Sequence, residues 1–196
     1  MRSRTQRSIL TLCTLLLLVS TLTACLPGAF VVGAAASAIV YDRRGFDAMS
    51  DDLRISRTAY KLINANRHLK YHSRVVVTSF NRVVLIVGQV PDEAAKMKVQ
   101  DIVDHIGGAK RIYNELVVSG NVSPLTRSSD TWITTKIKGQ MLSTVGLYSS
   151  QIKVITENGT VYLLGYVTRR QAQLATEVAS QIQGVQRVVK LFEYEQ

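Results

Sequence analysis

The chain contains three histidines, whose imidazoles could carry metal or acid–base chemistry. His68 and His72 are four residues apart, which would place both rings on one face of a helix. Two imidazoles without a third ligand make a weak metal site, and both lie where a predicted helix should end. We interpret them as solvated surface side chains. His105 lies at the end of another predicted helix, where an imidazole would interact with the helix dipole.

The sequence contains none of the common catalytic motifs. It has no Gly-x-Ser-x-Gly, no glycine-rich loop that would cradle a phosphate and no His-Glu-x-x-His. We therefore predict a protein that is not an enzyme, with no catalytic residue, no metal site, no cofactor and no small-molecule substrate.

Cys25 is the residue for which the sequence predicts a covalent role. A leader with three arginines and an apolar run from Ile9 to Val19 has the parts of a secretory signal. It ends in Leu22-Thr23-Ala24-Cys25, which resembles the lipobox of bacterial lipoproteins. The resemblance implies that residues 1–24 are a signal peptide, that Cys25 receives a diacylglycerol thioether, and that the new amino group is acylated. The alternative is an uncleaved transmembrane helix.

Acylation would anchor the chain to a membrane. Each buried methylene contributes about 0.8 kcal/mol, so one acyl chain is marginal and three are sufficient. Leu26, rather than aspartate, follows the cysteine; by resemblance to Gram-negative lipoproteins this implies the periplasmic face of the outer membrane. We interpret residues 25–49 as the acylated cysteine and an Ala/Gly-rich tether. The alternative is that 26–40 is a helix or strand packed on the folded part.

The mature chain is basic. The formal charge is +10, and removing the three leader arginines leaves 10 − 3 = +7. Such a surface attracts phosphates, and an exported lipoprotein meets lipid headgroups before nucleic acid. We therefore expect an anionic phospholipid membrane as partner, containing phosphatidylglycerol or cardiolipin, and no nucleic acid. Cys13 is lost with the leader, so no free thiol and no disulfide would remain.

The order helix–strand–strand–helix–strand occurs twice in the rest of the chain. Asn81 matches Asn158 and Gly88 matches Gly165, each offset by 77 residues. Such an internal repeat predicts two small homologous domains, at residues 50–119 and 128–196 with a linker at 120–127.

The repeated pattern resembles the BON domain. The resemblance is carried by Gly-x-Val before a helix, Gly-Val/Ala-x-Arg-Val/Ile after it, and the run from Asp130 to Lys136. One departure is Gly108-Ala109 in the first copy, where the family usually has Gly-Val. The resemblance implies an α+β fold with two tandem αββαβ domains, each a three-stranded mixed sheet with two helices. The chain as a whole is similar to the dual-BON outer-membrane lipoproteins of Gram-negative bacteria.

The first helix of the second copy, predicted from about Asp130 to Ser143, carries two apolar stripes. At 3.6 residues per turn, three side chains fall in one narrow stripe that should face the sheet: Ile133, Ile137 and Met141. The opposite side carries Trp132, Thr135, Gly139 and Leu142, with Lys136 and Lys138 beside them. A membrane-binding helix would place its tryptophan at headgroup depth and its lysines against phosphates. The alternative is that Trp132 and Leu142 pack against the first domain.

The family resemblance implies that this helix binds anionic phospholipid and that the protein supports envelope integrity. It further suggests that the protein is enriched at the division site. The alternative function is a periplasmic adaptor that regulates envelope machinery, such as barrel assembly or cell-wall amidases, through possible envelope protein partners.

The first helix of the first copy, predicted from about Ser50 to Asn66, should bury one face and expose a basic one. Its buried side is predicted to include Ile55, Ala59, Leu62 and Ile63. The opposite side carries Arg54, Arg57 and Lys61. This stripe lacks an apolar wedge in the prediction, so we interpret it as a solvated face; contact with peptidoglycan or an acidic partner is the alternative.

Overall fold

The structure, a computed structural model, describes residues 45–120 and 124–195. The predicted signal peptide, the acylation site Cys25 and most of the predicted tether lie outside these residues. Six elements form the first domain: α1 (Phe46–Ala65), α2 (Arg67–His72), β1 (Arg74–Phe80), β2 (Val83–Val90), α3 (Glu93–Asp104) and β3 (Arg111–Val118). Within the described ranges, no helix combines the length and the apolar character that crossing a bilayer requires.

The second domain repeats this order. Its elements are α4 (Pro124–Ser143), a 3₁₀ turn (Ser149–Gln151), β4 (Ile152–Glu157), β5 (Thr160–Val167), α5 (Arg169–Ser180) and β6 (Arg187–Tyr194). In each domain the middle strand is antiparallel to the first strand and parallel to the third. The predicted α+β fold with two three-stranded mixed sheets is therefore confirmed.

The two hairpin turns are held by a carboxylate from the first helix of their own domain. Asp130 on α4 accepts backbone hydrogen bonds from Asn158 (2.8 Å) and Gly159 (2.9 Å). Asp52 on α1 accepts the same two bonds in the first domain, from the turn residues Asn81 and Arg82. Asn158 and Gly159 both have positive φ, at 47° and 72°, as a type I′ turn requires.

The buried side chains form three clusters, which define four layers. In the first domain Val84 and Ile86 face α1 and α3, and the alternate residues Val83 and Leu85 face the other way. In the second domain the side chains of β5 are divided in the same way, between a core that faces the helices and a cluster on the opposite side of the strand. The third cluster is shared by the two domains, so the sheets pack face to face with helices outside.

The structure corrects the predicted starts of both first helices. α1 begins at Phe46, four residues before the predicted start near Ser50, and Gly45 is its N-cap. Buried Asp52, in the second turn of α1, holds the hairpin turn. α4 begins at Pro124, inside the predicted linker. Proline suits the start of a helix because it lacks the N–H that the first helical turn leaves unpaired.

Leu62 was predicted to be buried and is exposed. It lies one residue before buried Ile63, and a step of 100° moves a side chain from the edge of the buried face into solvent.

Candidate functional site

The inward stripe of α4 fixes the orientation of the whole helix. Ile133, Ile137 and Met141 are fully buried in the core of the second domain. The predicted stripe is confirmed, and it determines which side chains of α4 point away from the sheet.

The predicted lipid-binding residues all lie on the outer side of α4. We call this set the α4 face: Trp132, Thr135, Lys136, Lys138, Gly139 and Leu142. All six are exposed. Trp132 is 47% exposed and Leu142 is 75% exposed, so neither side chain is enclosed by the first domain. A half-exposed indole is uncommon on a surface that has no partner.

The lysines of the α4 face differ in their surroundings. Lys136 Nζ lies 5.6 Å from the centroid of the Trp132 ring, a distance at which an ammonium group is attracted to the ring face. Lys138 borders a shallow cleft together with Leu142, Phe80 and Lys153. The two apolar side chains of the face are thus each accompanied by a cation, as a surface that docks on phosphates requires.

Three further apolar side chains are exposed near the two ends of α4: Leu125 in its first turn, and Val145 and Tyr148 in the loop that follows Ser143. Leu125 lies seven residues before Trp132, or two turns and about 10 Å along the helix axis. The predicted linker hid this relationship, although the seven-residue spacing was readable in the sequence.

The basic stripe of α1 is exposed as predicted, but its three members are not equivalent. Arg54 donates hydrogen bonds to the backbone oxygens of Ile106 (3.3 Å) and Gly107 (3.2 Å), just after α3 ends. This arginine therefore stabilises the loop that follows α3. Arg57 and Lys61 are exposed beside it.

The histidines show no larger ligand cluster around them. The rings of His68 and His72 lie 5.1 Å apart on the six-residue helix α2. In residues 45–120 and 124–195, no group of three or more His, Cys, Asp or Glu side chains could hold a metal ion. His105 caps the C terminus of α3, with Nδ1 2.7 Å from the backbone oxygen of Asp101.

Ion pairing lowers the pKa of Asp51, a carboxyl group on α1 that contacts Arg54 of the basic stripe. The Arg82 side chain donates a hydrogen bond to Asp51, which holds the pKa of Asp51 below its ordinary value. Arg54 adds a second, weaker interaction of the same sign. Asp51 is thus negative at neutral pH and offsets part of the basic charge of α1.

Known proteins share both the domain pattern and most of the length of this chain. Residues 51–120 and 129–196 match the BON domain family. Outer membrane lipoprotein DolP of Haemophilus influenzae is 36% identical over 162 residues, covering 83% of this chain and 84% of that protein. The 21 kDa hemolysin of Actinobacillus pleuropneumoniae is 35% identical, covering 76% of each chain.

Among solved structures, CdsD, a structural protein of the type III secretion system of Chlamydia trachomatis, matches with a TM-score of 0.30 and 15% identity. That match covers 74% of this chain and 63% of CdsD. The two BON matches show the family of this chain, together with a 36% identical relative that aligns over most of both chains. This chain belongs to the family of outer-membrane lipoproteins that contain two BON domains.

Proposed function

We propose that this lipoprotein binds anionic phospholipid through the α4 face and thereby supports the integrity of the envelope. The observation that carries the proposal is the exposure of Trp132 and Leu142 on one helix, each beside a lysine. Binding of this kind needs no chemical step, and the proposed role is not enzymatic.

The energetics favour a lipid surface as the occupant of this face. Moving a leucine-sized apolar side chain out of water contributes about 1.5–3 kcal/mol, and each lysine close to an anionic membrane adds about 1 kcal/mol. A lipid anchor keeps the face close to the bilayer, so a weak contact is populated without any gain in its intrinsic affinity. Membrane regions rich in anionic lipid, including the division site, would then concentrate the protein.

Vesicle cosedimentation tests the proposal. The mature-length chain carrying Cys25→Ser removes the anchor, so that binding depends on the protein surface alone. We expect it to sediment with phosphatidylglycerol or cardiolipin vesicles and to remain in the supernatant with neutral ones. Trp132→Glu should abolish sedimentation. Met97→Glu is the matched control, since Met97 is an exposed apolar residue on α3 and its replacement adds the same charge elsewhere.

Equal sedimentation of the Trp132→Glu chain and the parent would refute lipid binding by this face. Circular dichroism of both variants establishes that they are folded. A photocrosslinker at position 132 in cells separates the adaptor alternative, because a dominant protein adduct there would show that the α4 face docks an envelope protein instead of lipid.

A further inference from the structure

A second row of apolar side chains lies exposed on the first domain. Phe46, Leu53 and Tyr60 follow one another at seven-residue intervals along α1, and they are 78%, 55% and 70% exposed. Seven residues are close to two turns, so the three lie in one line about 21 Å long. We call this line the α1 row. It is as exposed as the apolar side chains of the α4 face.

Two cations accompany the α1 row. Arg57 lies four residues after Leu53, and Lys61 lies four residues after Arg57, so both fall on the same outward side of α1. Both are exposed. The sequence-based expectation that this basic stripe lacks an apolar wedge was therefore wrong: the wedge begins at Phe46, four residues before the predicted start of the helix. Apolar side chains flanked by cations complement an anionic lipid surface.

The α1 row also lies at the point where the tether meets the folded part. Gly45 caps the N terminus of α1, and it follows Cys25 by 45 − 25 = 20 residues. Twenty residues reach at most about 70 Å when fully extended. α1 is thus the first described element after the anchor, and Phe46 is its first residue.

Lys153 connects the α1 row to the α4 face. This β4 residue lines one cleft with Leu53 of α1 and a second cleft with Leu142 and Lys138 of α4. Its ammonium group lies 3.1 Å from the backbone oxygen of Ser79, which holds it at the edge where β1 and β4 meet. Leu53 of the α1 row and Leu142 of the α4 face therefore border the same edge of the two packed sheets.

We propose that the α1 row is a second contact with anionic phospholipid, so that both domains meet the membrane. Phe46, Leu53 and Tyr60 enter the boundary between headgroups and acyl chains, and Arg57 and Lys61 contact the phosphates. This inference rests on the proposed function of the α4 face, which would be the other contact of the same surface.

The experiment uses the acylated mature protein in phosphatidylglycerol vesicles with brominated acyl chains, which quench a tryptophan that enters the bilayer. The sequence contains one tryptophan, so Trp132→Phe leaves a silent background. Tyr60→Trp then places the reporter in the α1 row, and Met97→Trp on α3 is the matched control. We expect a loss of emission from the Tyr60→Trp reporter, because an interfacial side chain lies about 5–10 Å into the headgroup and acyl boundary. The Met97→Trp reporter should keep its emission.

Charge reversal gives a second readout. Arg57→Glu together with Lys61→Glu should restore the emission of the Tyr60→Trp reporter, and vesicles of neutral lipid should do the same. Continued emission of the Tyr60→Trp reporter in brominated vesicles would overturn the inference if the native Trp132 is quenched there. A blue shift without quenching would also overturn it, since that result means that protein, including a second copy of this chain, covers the row. An unquenched native Trp132 would instead count against the α4 face.

Discussion

Arg74 and Glu157 form an ion pair that joins the two domains. Arg74 begins β1 in the first domain and Glu157 ends β4 in the second. The Glu157 side chain is buried, and the amide of Gln89 donates a hydrogen bond of 2.8 Å to the same carboxylate oxygen. The carboxylate is therefore held by two groups of the neighbouring domain, at one margin of the shared apolar cluster.

Arg74→Ala should destabilise the protein by about 2–4 kcal/mol, because it leaves the carboxylate of Glu157 buried without its cation. Urea unfolding followed by circular dichroism measures the change. Lys98→Ala is the matched control, since Lys98 pairs with Asp101 in an exposed i, i+3 pair. Loss of such a surface pair costs at most about 1 kcal/mol. A free energy of unfolding for Arg74→Ala equal to that of the control would show that the pair does not hold the domains together.

Asp130→Ala should cost about 2–4 kcal/mol, because the N–H groups of Asn158 and Gly159 lose a charged acceptor in a part-buried turn. The neighbouring exposed Ser129 provides the control, as Ser129→Ala removes a hydroxyl from the same helix at little cost. Hydrogen exchange of the two turn amides is a direct measurement. Unchanged protection of both amides in Asp130→Ala would contradict the role assigned to this carboxylate.

Local periodicity predicted the inward side of α4 because three apolar residues at intervals of four can face only one way. Local periodicity did not predict where α1 and α4 begin, because both helices start several residues before the predicted position. Phe46 and Leu125 both stand beside glycine or proline, which favour a linker in a single sequence, and both proved to be helical. Phe46 and Leu125 were missed as exposed apolar helical residues for that reason.

The packing of the two domains lay beyond what the sequence could predict. The continuous apolar run of β2 shows that both sides of the strand are buried. It does not say what covers the second side. In the structure Leu85 belongs to the shared cluster that includes Leu164 of β5, and no local spacing encodes a cluster whose members lie nearly 80 positions apart.

Gly88→Ala should prevent stable folding of the first domain, with a cost of at least about 3 kcal/mol. Gly88 has φ of +126°, and a Cβ atom there would lie 1.9 Å from the backbone oxygen of Arg74 in the paired strand. Gly139→Ala is the opposite case, since an added methyl group meets open space on α4, four residues before the helix ends. It should stabilise the protein by about 0.5–1 kcal/mol. Thermal unfolding distinguishes the two, and a folded Gly88→Ala with unchanged stability would contradict the observed strand approach.

Leu125→Glu should weaken vesicle binding of the Cys25→Ser chain by roughly tenfold, because a charged side chain replaces one worth about 1.5–3 kcal/mol when it leaves water. The expectation follows from the position of Leu125, exposed two turns before Trp132 on the same side of α4. Cosedimentation over a series of lipid concentrations measures the change in partitioning. Ser129→Glu adds the same charge one turn further along the helix without removing apolar surface. If both variants weaken binding equally, added charge alone explains the loss, and Leu125 does not enter the membrane. A larger loss for Leu125→Glu would extend the α4 face to the start of the helix, because only the apolar side chain distinguishes the two positions.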